Sequence, residues 1–312
     1  MEAMKDLSII IPHKNSLQTL NTLIESIPVH DWLEVLIVDD HSDGKVVEYI
    51  KRTFSGISHI RVFENESNIF SAGEARNIGL EHANGKWIVF ADADDYFLES
   101  FSEEFEAIKQ SSYDVIFYRP LIDADVTSSA TMYGRKFDLY FKNKTRDNLE
   151  RLKLNMDPPW SKTIRKNYLT KHQIKFDRVG KHDDTMFSIQ VAINTENVHI
   201  VNTPIYHYSI NSNSLSFKND DAGYLAHIDV ASRVIKVLME RYTREQLMIA
   251  RPYEYLTLYR ALFHILKISL MSRRRLILDA LLIIHKNGVL KMKYFSLISV
   301  ILAYWNSRRW EN

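Results

Sequence analysis

Three aspartates fall within four positions, at Asp92, Asp94 and Asp95, directly behind the apolar run Trp87-Ile88-Val89-Phe90. A run of that kind reads as a buried strand. Like charges repel and burial sharpens the repulsion, so stability alone does not place clustered carboxylates there. A divalent cation resolves the conflict. Hard oxygen ligands suit Mg²⁺ or Mn²⁺, and such ions commonly bridge protein carboxylates to substrate phosphates. A solvated acidic turn is the plainer alternative, and the surrounding elements must decide between the two.

Those elements are legible upstream. Leu7 to Pro12 is a strand run that stops at a proline, and Leu33 to Val38 is a second one ending in Asp39 and Asp40. Between them Ser16 to Ile27 carries Leu17, Leu20, Leu23, Ile24 and Ile27 at helical spacing. Strand, helix, strand predicts a parallel pair joined by a right-handed crossover. Ile60 to Phe63 makes a third strand, and Glu74 to Ala83 a helix stopped by Asn84-Gly85 before the Trp87 strand. The fold expected is α/β, a doubly wound and mostly parallel sheet. In such sheets ligands bind beyond the carboxyl ends of the strands. Pro12-His13-Lys14-Asn15, Asp39-Asp40 and Asp92 to Asp95 all fall at such ends, and three converging polar clusters predict a site.

In order along the chain, Ile-Ile-Ile-Pro-x-x-Asn at 9–15, Val-Asp-Asp-x-Ser at 38–42, Ala-Arg-Asn-x-Gly-Leu at 75–80 and Phe-x-Asp-x-Asp-Asp at 90–95 resemble a known set. It is that of the nucleotide-sugar domain of bacterial family 2 glycosyltransferases, of the GT-A fold and the surface-polysaccharide type. Pro159-Trp160-Ser161-Lys162, and Phe176-Asp177 through His182-Asp183-Asp184-Thr185-Met186-Phe187, resemble the family's later elements, so that the likeness covers about the first 215 residues.

The resemblance implies transfer of a sugar, with inversion, from a nucleotide sugar to a hydroxyl of a glycan or lipid-linked acceptor. Pro12, Lys14, Asn15, Asp40, Arg76 and Asp92 would line the nucleotide. Asp40 would accept the imide N–H of uracil, which favours UDP. Asp92 and Asp94 would form the metal-binding pair for Mn²⁺ or Mg²⁺, with Asp94 the direct ligand and Asp92 nearer the ribose. Arg76 would lie against the nucleotide, where a guanidinium suits phosphate. Asp184 would be the general base, with Asp183 beside it, and Trp160, His182 and His207 would meet the acceptor. Plainer readings stay open: Asp183 and Asp184 as an N-cap pair for a helix over Thr185 to Ala192, Arg76 as a helix-surface cation, His207 as a buried structural histidine. Two positions depart from the pattern. Lys14 stands where an aromatic residue is usual, which leaves base stacking without its partner, and Lys181-His182-Asp183 stands where Gly-Glu is common.

The 312 residues carry a net charge of +1 and no cysteine. Nothing in that balance suggests nucleic acid, and a disulfide framework or thiolate metal site is excluded. The N-terminus lacks the apolar core of a signal peptide, so a cytoplasmic protein is expected. Three segments are expected: 1–125 as the nucleotide-sugar half, 126–218 as the acceptor half, and 219–312 as a helical, amphipathic region. Helical patterns run over Tyr224 to Glu240, Leu247 to Leu270, Ser272 to His285 and Lys291 to Tyr304. Arg273-Arg274-Arg275, Lys286, Lys291, Lys293, Arg308 and Arg309 flank the last two. Apolar faces with basic flanks suit peripheral association with the inner face of an anionic membrane; a packed helical subdomain is the alternative. Two rival functions are a non-catalytic nucleotide-sugar-binding partner subunit and a sugar nucleotidyltransferase. The latter needs a glycine-rich triphosphate turn, and Pro12-His13-Lys14-Asn15 is not one.

Overall fold

The computed structural model describes residues 4–122, 129–209, 221–243, 245–247, 279 and 282–288. Its internal contacts divide the chain into two units, Met1–Lys144 with Asn155–Ser212, and Thr145–Leu154 with Asn213–Asn312.

The chain runs β1 (Lys5–His13), α1 (Leu17–Ser26), β2 (Leu33–Asp39), α2 (Gly44–Phe54), β3 (Ile60–Glu64), α3 (Ala72–His82) and β4 (Gly85–Phe90). It continues through β5 (Tyr96–Phe97), α4 (Ser100–Ile108), β6 (Val115–Tyr118), β7 (Leu121–Ile122), α5 (Ser129–Lys142) and α6 (Arg146–Leu154). Then follow β8 (Lys162–Arg165), α7 (Lys166–Lys171), α8 (Asp183–Ile193), β9 (Val198–Val201), β10 (Tyr206–Tyr208) and α9 (Asp221–Arg241).

Seven strands form the main sheet in the order β3-β2-β1-β4-β8-β6-β9. Only β8 runs antiparallel to its neighbours β4 and β6; the other pairs are parallel. This is the mostly parallel α/β sheet expected. From Leu7 onward β1 is buried, and so is every residue of β2, which is why both read as unbroken apolar runs and not as alternations. The chain winds outward from β1 to β3, then returns to place β4 on the other flank of β1. The carboxyl ends of β1 and β4 therefore open at a topological switch point, where open sheets hold ligands. A small second sheet, β5-β10-β7, completes this unit.

Helix α3 starts at Ala72, two residues before the sequence pattern placed it, because Ser71 caps it. The Ser71 Oγ accepts from the backbone N–H of Gly73 at 3.1 Å and Glu74 at 3.4 Å. Helix α2, which was not among the elements expected, bridges β2 and β3. Gly79 lets α3 lie close on β1, since a Cβ there would stand 2.3 Å from Ile10 Cγ2.

In the second unit, α9 covers the segment read as Tyr224 to Glu240. The Tyr242 hydroxyl donates to Glu150 on α6 at 2.7 Å, and Asn287 Nδ2 donates to Asp229 at 3.0 Å and Ser232 at 2.6 Å. Residues 282–286 are helical, within the segment read as Ser272 to His285. Most of the expected helices over 247–270 and 291–304 lie outside the described residues. Among the described residues no helix is long and apolar enough to cross a membrane.

Candidate active site

At the ends of β1 and β2 a set of side chains fixes the floor of the crevice. Residues His13 and Asp39 face each other in register, and His13 Nδ1 lies 3.0 Å from Asp39 Oδ2. The backbone N–H of Ser16 donates to His13 Nε2 at 3.1 Å, so Nδ1 carries the proton and donates to Asp39. Burial works to raise Asp39, but the bonds from His13 and Ser42 outweigh it and hold the carboxyl below its ordinary range. Pro12 is buried within β1 opposite Val38. Asn15 takes a left-handed backbone at φ 51° and stitches the two turns together: its N–H donates to Ser42 Oγ at 2.8 Å, and its Oδ1 accepts from Asp43 N–H at 2.8 Å. Pro12 and Asn15 thus shape the crevice through the backbone.

Asp40 is 6% exposed. Asn65 Nδ2 donates to its Oδ1 at 2.8 Å, and His41 Nδ1 lies 3.1 Å from the same oxygen. Among the described residues nothing hydrogen-bonds Oδ2.

The acidic turn after β4 separates into three roles. Asp95 is buried beneath it, accepting from the Tyr206 hydroxyl at 2.8 Å and the Ser209 N–H at 2.8 Å. Burial, then repulsion from Asp92, pushes Asp95 up to about 9. The Tyr206 hydroxyl also accepts from the Asp92 N–H at 2.8 Å, so β10 locks the turn in place. Asp94 makes no ion pair among the described residues, and burial followed by Asp92 raises its pKa. A dication would relieve that crowding, and one or two carboxylates plus phosphates and water are the usual protein share of a Mg²⁺ or Mn²⁺ shell. The donor set therefore fits such an ion at Asp94 with Asp92. Among the described residues no cluster of three or more His, Asp or Glu stands ready to hold a metal alone.

Arg76, expected against the nucleotide, is paired with two carboxylates. It is 6% exposed, and its two terminal nitrogens are taken: Nη2 by Asp92 at 2.6 Å and Nη1 by Asp183 at 2.7 Å. Burial opposes its charge, but Asp92, Asp183 and Asp184 outweigh that and lift its pKa further. Its guanidinium lies 5.3 Å from the Phe176 ring centroid, and Phe176 stacks on Phe187 of α8 at 3.9 Å. Asn77 fixes Phe176 from below, donating to its carbonyl at 3.1 Å and accepting from its N–H at 2.9 Å. Gly73 permits the approach, for a Cβ there would meet the Asp177 carbonyl at 2.3 Å and Asp183 at 2.9 Å.

Helix α8 is not capped by its aspartates. The N-cap is His182 in a left-handed conformation at φ 60°, without a side-chain cap, and Asp183 and Asp184 occupy the first turn. Asp183 is engaged by Arg76, and burial raises its pKa against that pairing. Burial first, then Asp183, pushes Asp184 up to about 7 although Arg76 pulls it down. A carboxyl near 7 is suited to taking a proton at neutral pH. His182 is lowered by its own burial and by Lys181.

Two further side chains next to this cluster take positions that the sequence motifs did not specify. Lys162 is fully buried; its Nζ donates to the Pro158 carbonyl and lies 3.3 Å from Ser188 Oγ, one turn along α8 from Asp184. Burial depresses it to about 7, against the pull of Asp157 and Asp184. A lysine inside the Pro-Trp-x-Lys element was the available signal. Tyr206 is the other. Its hydroxyl works inside the acidic turn, bonded to Asp95 and to the Asp92 N–H. Trp160, expected at the acceptor, is 3% exposed and parallel to Tyr206 at 5.4 Å and Tyr208 at 5.3 Å, so its ring is core. His207 is likewise buried, stacked on Tyr96 at 4.4 Å. Of this aromatic run only Tyr208 is partly open.

Comparison with known proteins agrees with this arrangement. Residues 8–172 match the profile of Glycosyl transferase family 2. The glycosyltransferase YibD of Escherichia coli K12 is 24% identical, the alignment covering 100% of this chain and 94% of YibD. TarS of Staphylococcus aureus, a poly(ribitol-phosphate) β-N-acetylglucosaminyltransferase, is 24% identical over 66% of this chain but only 36% of its own length. The crystal structure of TarS residues 1–349 with UDP-GlcNAc superimposes with a TM-score of 0.67 at 19% identity, covering 88% of this chain and 79% of that one. The mannosyltransferase PcManGT of Pyrobaculum calidifontis, solved with GDP-Man and Mn²⁺, gives a TM-score of 0.50 at 14% identity over 100% of this chain and 89% of its own.

Proposed function

The chain belongs to glycosyl transferase family 2, and from that premise we propose a metal-dependent, inverting transfer from a UDP-sugar to a hydroxyl of a glycan or lipid-linked acceptor, in the synthesis of a bacterial surface polysaccharide. The observation that carries this reading is the Arg76 bridge, which ties Asp92 of the acidic turn to Asp183 of α8 and so joins the donor carboxylates to Asp184 in one electrostatic unit. TarS, a relative, was solved with UDP-GlcNAc, which supports UDP as the nucleotide.

In this mechanism Asp40 Oδ2 accepts the uracil imide N–H. Mn²⁺ or Mg²⁺, held by Asp94 with Asp92, would neutralise the diphosphate. The Asp184 carboxylate takes the proton of the acceptor hydroxyl as its oxygen bonds to the anomeric carbon. The bond from that carbon to the diphosphate oxygen breaks on the opposite face, and UDP departs. A single displacement with one base and no protein nucleophile inverts the anomeric centre. Lys162, under α8, sets the field around the base, and Tyr208 offers the acceptor an aromatic face. The basic, apolar C-terminal segment would hold the enzyme at the inner membrane face, where a lipid-linked acceptor resides. Screening UDP-sugars for Mn²⁺-dependent hydrolysis tests the proposal; release of UDP from none of them, with wild-type protein, would remove the donor assignment.

A further inference from the structure

We propose that Phe70 is the stacking platform for the nucleobase of the donor, standing in for the aromatic residue that position 14 lacks. The inference rests on the nucleotide-sugar reading above and adds to it a residue that the sequence motifs do not mark.

A lone exposed phenylalanine is ordinary. Phe70, at 60% exposed, is set apart by where it is held. Its ring lies 4.0 Å from the His41 ring at an angle of 33°, and His41 is itself on Asp40 Oδ1 at 3.1 Å. The ring is thus one side chain away from the carboxylate that would read the base edge. Its backbone is anchored to that same carboxylate, because Asn65 Nδ2 donates both to Asp40 Oδ1 at 2.8 Å and to the Ile69 carbonyl at 2.7 Å. The turn between is closed by Ser67, whose N–H and hydroxyl both donate to Asn65 Oδ1 and whose Oγ accepts from the Ile69 N–H at 3.2 Å. On the other side Ser71 caps α3, the helix that carries Arg76. An apolar ring is therefore presented to water between the base-reading carboxylate and the helix that organises the acidic turn.

Lys14 completes the picture. Its Nζ lies 5.3 Å from the Phe70 centroid, a cation over an aromatic face. The residue that occupies the usual stacking position thus reaches across to the ring that replaces it. When a base takes that face, the flexible lysine is free to turn its charge toward the diphosphate. Stacking a base on an ordered, exposed ring removes apolar surface from water without ordering a new side chain, which is where preorganised aromatics gain affinity.

Calorimetry with Mn²⁺ tests this on the full chain, using UDP and, as a base-free probe, inorganic pyrophosphate. Phe70→Leu keeps apolar bulk and loses the π-face; Phe70→Tyr keeps the ring. The expected result is UDP affinity weakened about tenfold in Phe70→Leu, the scale of one base-on-aromatic stack, and held within about twofold in Phe70→Tyr, with pyrophosphate affinity equal in all three proteins. Equal UDP affinity in wild type and Phe70→Leu overturns the proposal. So does a matching loss for pyrophosphate, which would make the ring a support for the turn. Failure of wild type to bind UDP while binding another nucleoside diphosphate strikes the donor reading alone, and the same series with that nucleotide then decides on Phe70. Failure to bind any nucleoside diphosphate defeats both.

Discussion

Replacing Asp184 by Asn should make the protein more stable and inactive at once. The folded state lifts Asp184 from 3.8 to about 7, so the charged carboxylate is a burden there. A group whose folded pKa lies above its unfolded value holds its proton longer in the folded state, and stability falls as pH rises between the two. At about 1.4 kcal/mol per pH unit, that window amounts to about 4 kcal/mol, and repacking of Asp183 and Arg76 reduces the expected gain to about 2–3 kcal/mol. Asp184→Asn is isosteric and never ionises. Its advantage should be close to zero near pH 4, grow through the window, and level off above about pH 7. Urea unfolding of both proteins at a series of pH values measures this directly. Transfer, assayed in parallel, should drop by about two orders of magnitude or more, the usual range for a general base, with UDP affinity retained, and wild-type kcat/KM should fall below about pH 7. A variant no more stable than wild type at pH 8 would refute the raised carboxylate. A variant that is stabilised yet still transfers sugar would refute its role as base, and an inactive Asp183→Asn in that case would pass the role to its neighbour.

Three further outcomes follow from the same geometry. Asp94→Ala should abolish the Mn²⁺-dependent part of UDP binding in calorimetry, since carboxylates and diphosphate repel without a cation between them; unchanged metal-dependent affinity would move the metal elsewhere. Arg76→Lys cannot hold Asp92 and Asp183 together, and a half-buried carboxylate left unpaired should cost about 1–2 kcal/mol in urea unfolding as well as weakening UDP binding; a neutral effect would mean the bridge is dispensable. Full-length protein should float with anionic vesicles at low salt and only partly detach at high salt, while the triple change Arg273→Glu, Arg274→Glu, Arg275→Glu should weaken flotation; indifference of the full chain to vesicles would favour a packed helical region.

Much of the sheet was legible because its signals are local. β1, β2 and β4 are buried on both faces, so each appears as an apolar run with a polar residue where it emerges, and a parallel crossover follows from strand, helix, strand. Helix α2 was not among the elements expected, although Val46, Ile50 and Phe54 stand four positions apart along one face of it. The antiparallel β8 was hidden, as nothing in Lys162-Thr163-Ile164-Arg165 states which strands it will join. Asp40, Asp92 and Asp94 stand just beyond β2 and β4, where a carboxylate is conspicuous in any context; Asp184, in the first turn of α8, was singled out by motif order alone.

What the residues do to one another was decided only by the tertiary structure. Asp92, Asp94 and Asp95 are one acidic cluster in sequence, but Tyr206, more than a hundred positions away, sequesters Asp95 below the turn, and Arg76 takes Asp92. Asp183 looked like a helix cap and is half of an ion pair, because α3 approaches α8 closely at Gly73. Trp160 looked like a sugar-binding face and is covered by two tyrosines. Phe70 carries no signal at all until the turn at Asn65 places it beside Asp40. Residue type and spacing set which chemistry is available; long-range contacts set burial and partner, and burial and partner set charge.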